Sequence, residues 1–300
     1  MRLRFASDRR TLVWAFVLFP LGPALALWRP ELLPWLVPLL LYSSYLSGVL
    51  THNHNHVPVF RERRANVAYG AWLSVFYGFP IVSWVPTHNQ NHHRYRNAEG
   101  DVTATTLHAP QDGLLRALTY GPASSRRQFP LLVRFTRDAF RTRSSYRTRI
   151  LAESAALIVG HVAVLALSLA LHGAELGALV YVVALGLPSL LGTYWMMLTN
   201  YLQHVGCDSA SDDDHSRNFV SPFFNWFVFQ NGYHTVHHDQ PHVHWSEYPE
   251  LHRRRAATIS PSLNRGGMVA TYVLSRYLIG ERTPAPPSGR APLAAGVGSE

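Results

Sequence analysis

Lysine is absent from this 300-residue chain, and all 27 of its basic residues are arginine. With the alanine, glycine and proline content, that absence reports codon supply in a GC-rich genome and says little about mechanism. The scarcity of cysteine is more informative. Cys207 stands alone, which excludes an intramolecular disulfide framework and a thiolate-rich metal site, so a metal bound here is held by imidazole. Charge is low as well: Asp, Glu, Lys and Arg make up 15% of the chain, against 47% hydrophobic residues gathered in long uncharged runs. That balance is wrong for a soluble protein and fits an integral membrane protein. The net charge of +9 does not argue for nucleic acid as a partner, because the arginines cluster beside the apolar runs, where positive loops on the cytoplasmic side of a membrane account for them.

Against these scarcities stands an excess of histidine, 17 residues with nine of them in three short clusters. A lone histidine is more often a surface or satisfied core residue than a ligand, but clusters at helical spacing reverse that expectation. In His234-Thr-Val-His237-His238 the positions i, i+3 and i+4 share one helix face, so the three rings should project the same way, as they would to grip a metal. His52 and His56 lie one helical turn apart, and His88, His92 and His93 repeat the i, i+4 pairing with an added neighbour. His54 would point about 200° from His52 on a helix and is left out of the ligand set. The pattern predicts a polyhistidine metal site, with zinc, copper, nickel and iron all suited to imidazole.

Four apolar runs, 11–28, 32–50, 151–171 and 176–198, of which the third alone holds a charged residue, Glu153, are long enough to cross a hydrocarbon core of about 30 Å. The first has no clear cleavage site and is read as a retained span. The basic start places the N-terminus in the cytoplasm, and two crossings return the chain there at His52. Residues 65–86 are also long enough to span. A crossing there would put the second histidine cluster on the opposite side from the first, so this run is read as interfacial or re-entrant, as Gly70, Gly78 and Pro80 favour. The later hairpin restores an even number, and all three clusters then lie on the cytoplasmic side. Between Arg116 and Arg149 nine arginines are interleaved with apolar residues, which reads as a membrane-facing amphipathic region or a docking surface for an acidic electron-transfer protein. His161 is expected at a helix interface. The fold class expected is an all-α integral membrane protein, with four transmembrane helices, interfacial helices and a cytoplasmic histidine-rich cap holding the metal site. Residues 1–282 form one unit, followed by a disordered tail at 283–300.

The order HxxxH (His52, His56), HxxxHH (His88, His92, His93) and HxxHH (His234, His237, His238), with a span hairpin between the second and third, resembles the membrane fatty acid desaturase and hydroxylase superfamily over roughly residues 32–252. The resemblance implies a dimetal site in that cap, with two iron ions as cofactor and molecular oxygen as co-substrate. It extends to an NxxxH element, Asn200 and His204, in which the histidine is a ninth metal ligand and the asparagine reaches the metal through water. The implied activity is that of an oxygen-dependent fatty acyl desaturase introducing a C=C bond. A hydroxylase, ketolase or oxidative decarboxylase acting on an alkyl, fatty acid or carotenoid substrate shares the same boxes. No His-Pro-Gly-Gly haem motif of a fused cytochrome domain occurs, so electrons are expected from a separate ferredoxin-, rubredoxin- or cytochrome-type donor. The substrate, a membrane lipid or acyl chain, is expected from the bilayer, which is the inner (plasma) membrane if the source is bacterial. A histidine-rich metal transporter is a distant alternative, disfavoured because the spans are nearly free of ionisable residues.

Asp101, Asp208, Asp212 to Asp214 and Asp239 are candidates to accept the outer N–H of a ligand imidazole, with Asp239 the first choice. His242 and His244 match no ligand position. Trp84, Tyr194, Trp195, Met196 and Met197 are candidates to line an acyl groove.

Overall fold

A backbone inside hydrocarbon has to satisfy its own hydrogen bonds, and the apolar runs do so as helices. The computed structural model describes residues 1–108 and 111–280, so the expected disordered tail lies outside the described residues. Helix α1 (Asp8–Trp28) leads through Arg29 into α2 (Pro30–His56), which continues past its apolar run and carries the first histidine box on its last turns. The run expected to be interfacial forms two helices, α3 (Arg63–Tyr77) and α4 (Ile81–Tyr95), bent by 95°. The bend is set at Gly78, whose φ of +74° is left-handed and whose missing Cβ would lie 2.6 Å from the Ser189 carbonyl oxygen. It is not a straight transmembrane rod.

Most of the arginine-rich region becomes one amphipathic helix, α5 (Leu114–Arg141), with Leu115, Phe129 and Val133 exposed along it. Beyond it an apolar helical stretch runs Ser145–His204. Gly173, at φ 76° and ψ −177°, breaks it, and Ser168 Oγ donates to the Gly177 carbonyl at 2.7 Å. The chain therefore turns back on itself, giving α6 (145–172) and α7 (174–204). Three segments, Asp8–Trp28, Pro30–His56 and Ser145–His204, are long and apolar enough to cross a membrane. Helix α7 packs against α2 and α5, while α3 packs along α6. At that last contact the Nε2 of His161 meets the Val75 carbonyl at 2.9 Å, so this histidine serves the helix interface.

After α7 the chain forms short pieces: a parallel pair β1 (Asn218–Phe219) and β2 (Asn264–Arg265), and the helices α8 (Pro222–Phe227), α9 (His234–Asp239), α10 (Tyr248–Arg255) and α11 (Val269–Leu278). Asn218 orders α9, its Oδ1 accepting from the Thr235 backbone N–H at 2.9 Å. The largest core cluster, built from Leu46, Leu50, Tyr69, Leu73 and Ile81, supports the ends of α2, α3 and α4 where the histidines sit.

Candidate metal centre

Each histidine box lies at or near a helix end: His52 and His56 on α2, His88, His92 and His93 on α4, His234, His237 and His238 on α9, and His204 at the last residue of α7. The fold brings these nine rings together in two groups. His52, His56, His88, His93 and His237 form one, and His92, His204, His234 and His238 the other, with one ring nitrogen from each residue of a group within 4.8 Å of the rest.

The grouping keeps His52 and His56 together but corrects the expectation that the second and third boxes each point one way. Residues Val85–His92 are wound as a π-helix, in which i and i+5 are the stacked positions. His88 and His93 therefore meet, Nε2 to Nε2 at 3.1 Å, and His92 turns into the other group. In α9 the α-helical i, i+4 pair His234 and His238 meets at 3.1 Å, while His237 turns toward His52, at 3.0 Å. Adjacent histidines thus serve different groups.

The donor set fits metal ions. The Nε2 atoms of His204, His234 and His238 form a triangle with sides of 2.9, 3.1 and 3.2 Å. A neutral imidazole Nε2 is either a donor or an acceptor, so three of them cannot satisfy one another around a triangle. Ligands about 2.0–2.1 Å from a common ion and at right angles to one another lie roughly 3 Å apart, which is the spacing seen. Among the described residues, Nε2 of His56 and of His92 are also buried without a hydrogen-bond partner.

Several outer nitrogens are held as metal-bound imidazoles require, although Nδ1 of His93, His234 and His238 is buried without a hydrogen-bond partner among the described residues. His92 Nδ1 lies 2.7 Å from Asp101 Oδ2, an atom that only accepts when ionised, which leaves Nε2 as the lone-pair nitrogen. Asp101 is itself fixed by the backbone N–H groups of Asn97 and Thr103, each at 2.8 Å. Burial works to raise its carboxyl pKa, but His92 and Thr103 prevail and hold it well below the ordinary carboxylate range. His204 Nδ1 faces the His215 carbonyl at 3.1 Å, and His237 Nδ1 faces Tyr248 Oη at 3.0 Å. Burial, reinforced by the neighbouring imidazoles, pushes His234, His237 and His238 well below the usual imidazole pKa, so their rings stay neutral and available as ligands.

Other residues fall elsewhere. His54 points away, its ring edge-on to Tyr69 and its Nδ1 accepting from the Val59 N–H at 3.3 Å. His244 stacks on Phe5 and reaches Asp8 at 3.3 Å. Asp239 contacts none of the nine histidines: it pairs with Arg255 at 2.7 Å and with His215 at 3.5 Å, so Asp101 takes the role assigned first to it. Asp213 and Asp214 cap the 258–260 turn. His215, Tyr248 and Thr103 were not legible as supports, since only the fold brings them beneath the rings.

A cavity of about 190 Å³ opens beside His88 and Asn200, walled by Trp84, Met197 and Gln128. Of the other groove candidates, Met196 fills the core against Gly48, and Tyr194 donates to the Leu118 carbonyl at 3.1 Å. Trp195 lines a separate cavity beyond α7. Asn200 donates to Tyr120 Oη at 2.9 Å, which fixes its side chain at the cavity wall.

Fold and site define a class, the helical integral membrane protein with adjoining polyhistidine groups. Residues 26–264 match the family model described as Fatty acid desaturase, and the chain belongs to that family, which is known for di-iron sites and makes it an oxidoreductase of the desaturase or hydroxylase type. No curated protein and no solved structure matches the chain.

Proposed function

We propose that this protein is a membrane-bound, oxygen-dependent di-iron desaturase that introduces a C=C bond into a fatty acyl chain. The observation that carries the reading is the pair of largely buried histidine groups, five and four rings, with His88 of the first lining an otherwise uncharged cavity between helices. His52, His56, His88, His93 and His237 would hold one iron, and His92, His204, His234 and His238 the other, with Asn200 reaching the second through water. Two irons bound there supply the power to activate dioxygen against an unactivated C–H bond. The protein's own part is to keep nine imidazoles neutral and oriented, to exclude bulk water, and to lay the chain along Trp84 and Met197 beside His88. In the overall balance, one dioxygen, two electrons and two protons become two waters while the substrate loses two hydrogens.

With α1, α2, α6 and α7 as four crossings and α3–α4 re-entrant, both termini and every box face the cytoplasm. Electrons come from a separate acidic donor, so turnover with that donor should fall as ionic strength rises. Lipid profiling by mass spectrometry of a host expressing the protein, set against one expressing His237→Ala, tests the function. New unsaturated acyl chains in the first host only are expected. A hydroxylated or shortened product would move the assignment to the hydroxylase or decarboxylase alternative, and unchanged lipids with one transported ion would favour the transporter.

A further inference from the structure

The cavity beside His88 does not end at α4. A second cavity of about 560 Å³ shares Phe79, Ser83, Phe129 and Leu132 with it and continues along α5 to Arg137 and Phe140, with Ile150 and Ser154 of α6 opposite. Together they make one groove, apolar over most of its length. Phe79, Phe129 and Phe140 are exposed along it, so it opens sideways between α5 and α6. Among the described residues lining the two cavities, Arg137 is the one permanently charged side chain. It makes a loose ion pair through Nε with Asp138, at 3.8 Å and so beyond hydrogen-bond range, and the Arg137 side chain is 71% exposed. The guanidinium fork is therefore available to a ligand at the outer end of an apolar slot.

A slot with a cation at one end and a metal centre at the other suits an amphiphile with an anionic head. We propose that Arg137 binds the carboxylate or phosphate head of the substrate and so sets, by distance, the position on the chain that reaches the metal centre. This rests on the acyl-oxidation reading above and adds the head-group chemistry and the ruler. Gln128 lines the inner cavity and Arg137 the outer one, nine residues further along α5. Reaction is thus counted from the head group and not from the methyl end. Phe129 and Leu132, shared by both cavities, form the passage between head and centre.

The test separates binding from oxidation. cis-Parinaric acid and its methyl ester, both fluorescent, are titrated against the purified full chain and its Arg137→Ala and Arg137→Lys variants. The acid is expected to bind the native protein at least tenfold more tightly than the ester, to lose that advantage in Arg137→Ala and to regain part of it in Arg137→Lys. Competition by oleate against phosphatidic acid in detergent distinguishes a free carboxylate from a phospholipid phosphate as the preferred head. In a second arm, products from C16 and C18 acids are mapped by mass spectrometry. The same carbon number from the carboxyl end in both is expected, with scattered positions in Arg137→Ala. Equal binding of acid and ester by native protein and Arg137→Ala, or positions that keep a constant distance from the methyl end, would overturn the ruler. Acyl oxidation could persist in either case, so failure here is distinct from failure of the proposed function.

Discussion

Removing the carboxylate of Glu153 should loosen the metal centre from a distance. Glu153 sits on α6 with its side chain 0% exposed, accepting from the Val82 backbone N–H at 2.6 Å and from Arg149 Nε at 3.1 Å. Arg149 in turn donates through Nη2 to Asn55 Oδ1 at 3.1 Å, and the Asn55 carbonyl accepts from Asn89 Nδ2 at 3.1 Å. Asn55 stands directly before His56, and Asn89 directly after His88. One ion pair therefore ties α6 to the first and second boxes at once. Glu153→Ala leaves Arg149 and the Val82 N–H without their acceptor, a change that costs about 3–5 kcal/mol for a buried pair. Because Arg149 is 24% exposed, water covers part of the loss and the low end, about 3 kcal/mol, applies. That is roughly two decades in the unfolding equilibrium. Glu153→Gln keeps an acceptor for Val82 and loses only the charge, so about 1–2 kcal/mol is expected. Thermal unfolding in detergent, with iron per chain measured in parallel, reads both effects. An Ala variant with the native unfolding midpoint and full iron would refute the reasoning.

His204→Ala should lower iron content and abolish product formation as severely as His92→Ala or His238→Ala, whereas His54→Ala and His244→Ala should keep their iron; iron per purified chain decides. Asn200→Ala should fall between, and an inactive, iron-poor His54→Ala would mean that the wrong pair has been assigned in the first box. Asp101→Asn should weaken metal retention by about 10–100-fold in a chelator competition, since it removes the acceptor that orients His92. In a Cys207→Ser background, cysteines placed at the exposed positions Arg94 and Arg254 should be labelled from the same, cytoplasmic, face; labelling from opposite faces would sink the re-entrant reading of α3–α4.

The apolar runs and the histidine spacings were legible because each is a local pattern. Residues 32–50 announce a helix by length and hydropathy alone, and Gly78 and Pro80 mark where the third run cannot continue straight. The partners of the rings were not legible, because they are made by tertiary approach. Asp101 meets His92 only when the turn after α4 closes, while Asp239, adjacent in sequence to His238, is drawn instead to Arg255. Proximity along the chain favoured the wrong carboxylate. Part of the charge in the arginine-rich stretch is structural: Arg127 on α5 donates to the Val102 carbonyl and Arg149 on α6 to Asn55. In the second box the division was hidden by the assumption of α-helical winding, which the π-helical turn at Val85–His92 replaces; in the third, α-helical box it was hidden by reading i, i+3 and i+4 as one face.

That division has a sharper consequence than the individual ligands. Consecutive residues on a helix point about 100° apart, so a doubled histidine delivers one ring to each of two neighbouring centres, and His92-His93 and His237-His238 are the places where the two groups are covalently joined. If all rings of a box served one ion, His92→Ala and His93→Ala would damage the same centre and the double variant would lose little more than either single. With the geometry seen, each single variant depletes a different group and leaves the other with its full complement. His92→Ala/His93→Ala should then lose iron from both groups and fall toward zero iron per chain. His92→Ala/His204→Ala, confined to the second group, should retain close to one iron, held by His52, His56, His88, His93 and His237. Non-additivity is expected within a group and near-additivity between groups. Iron per chain across these variants, with circular dichroism to verify the helical fold, measures it. Equal iron loss in the two double variants would mean that the centre binds its metals only as a pair, and the independence argued from the two histidine groups would fall.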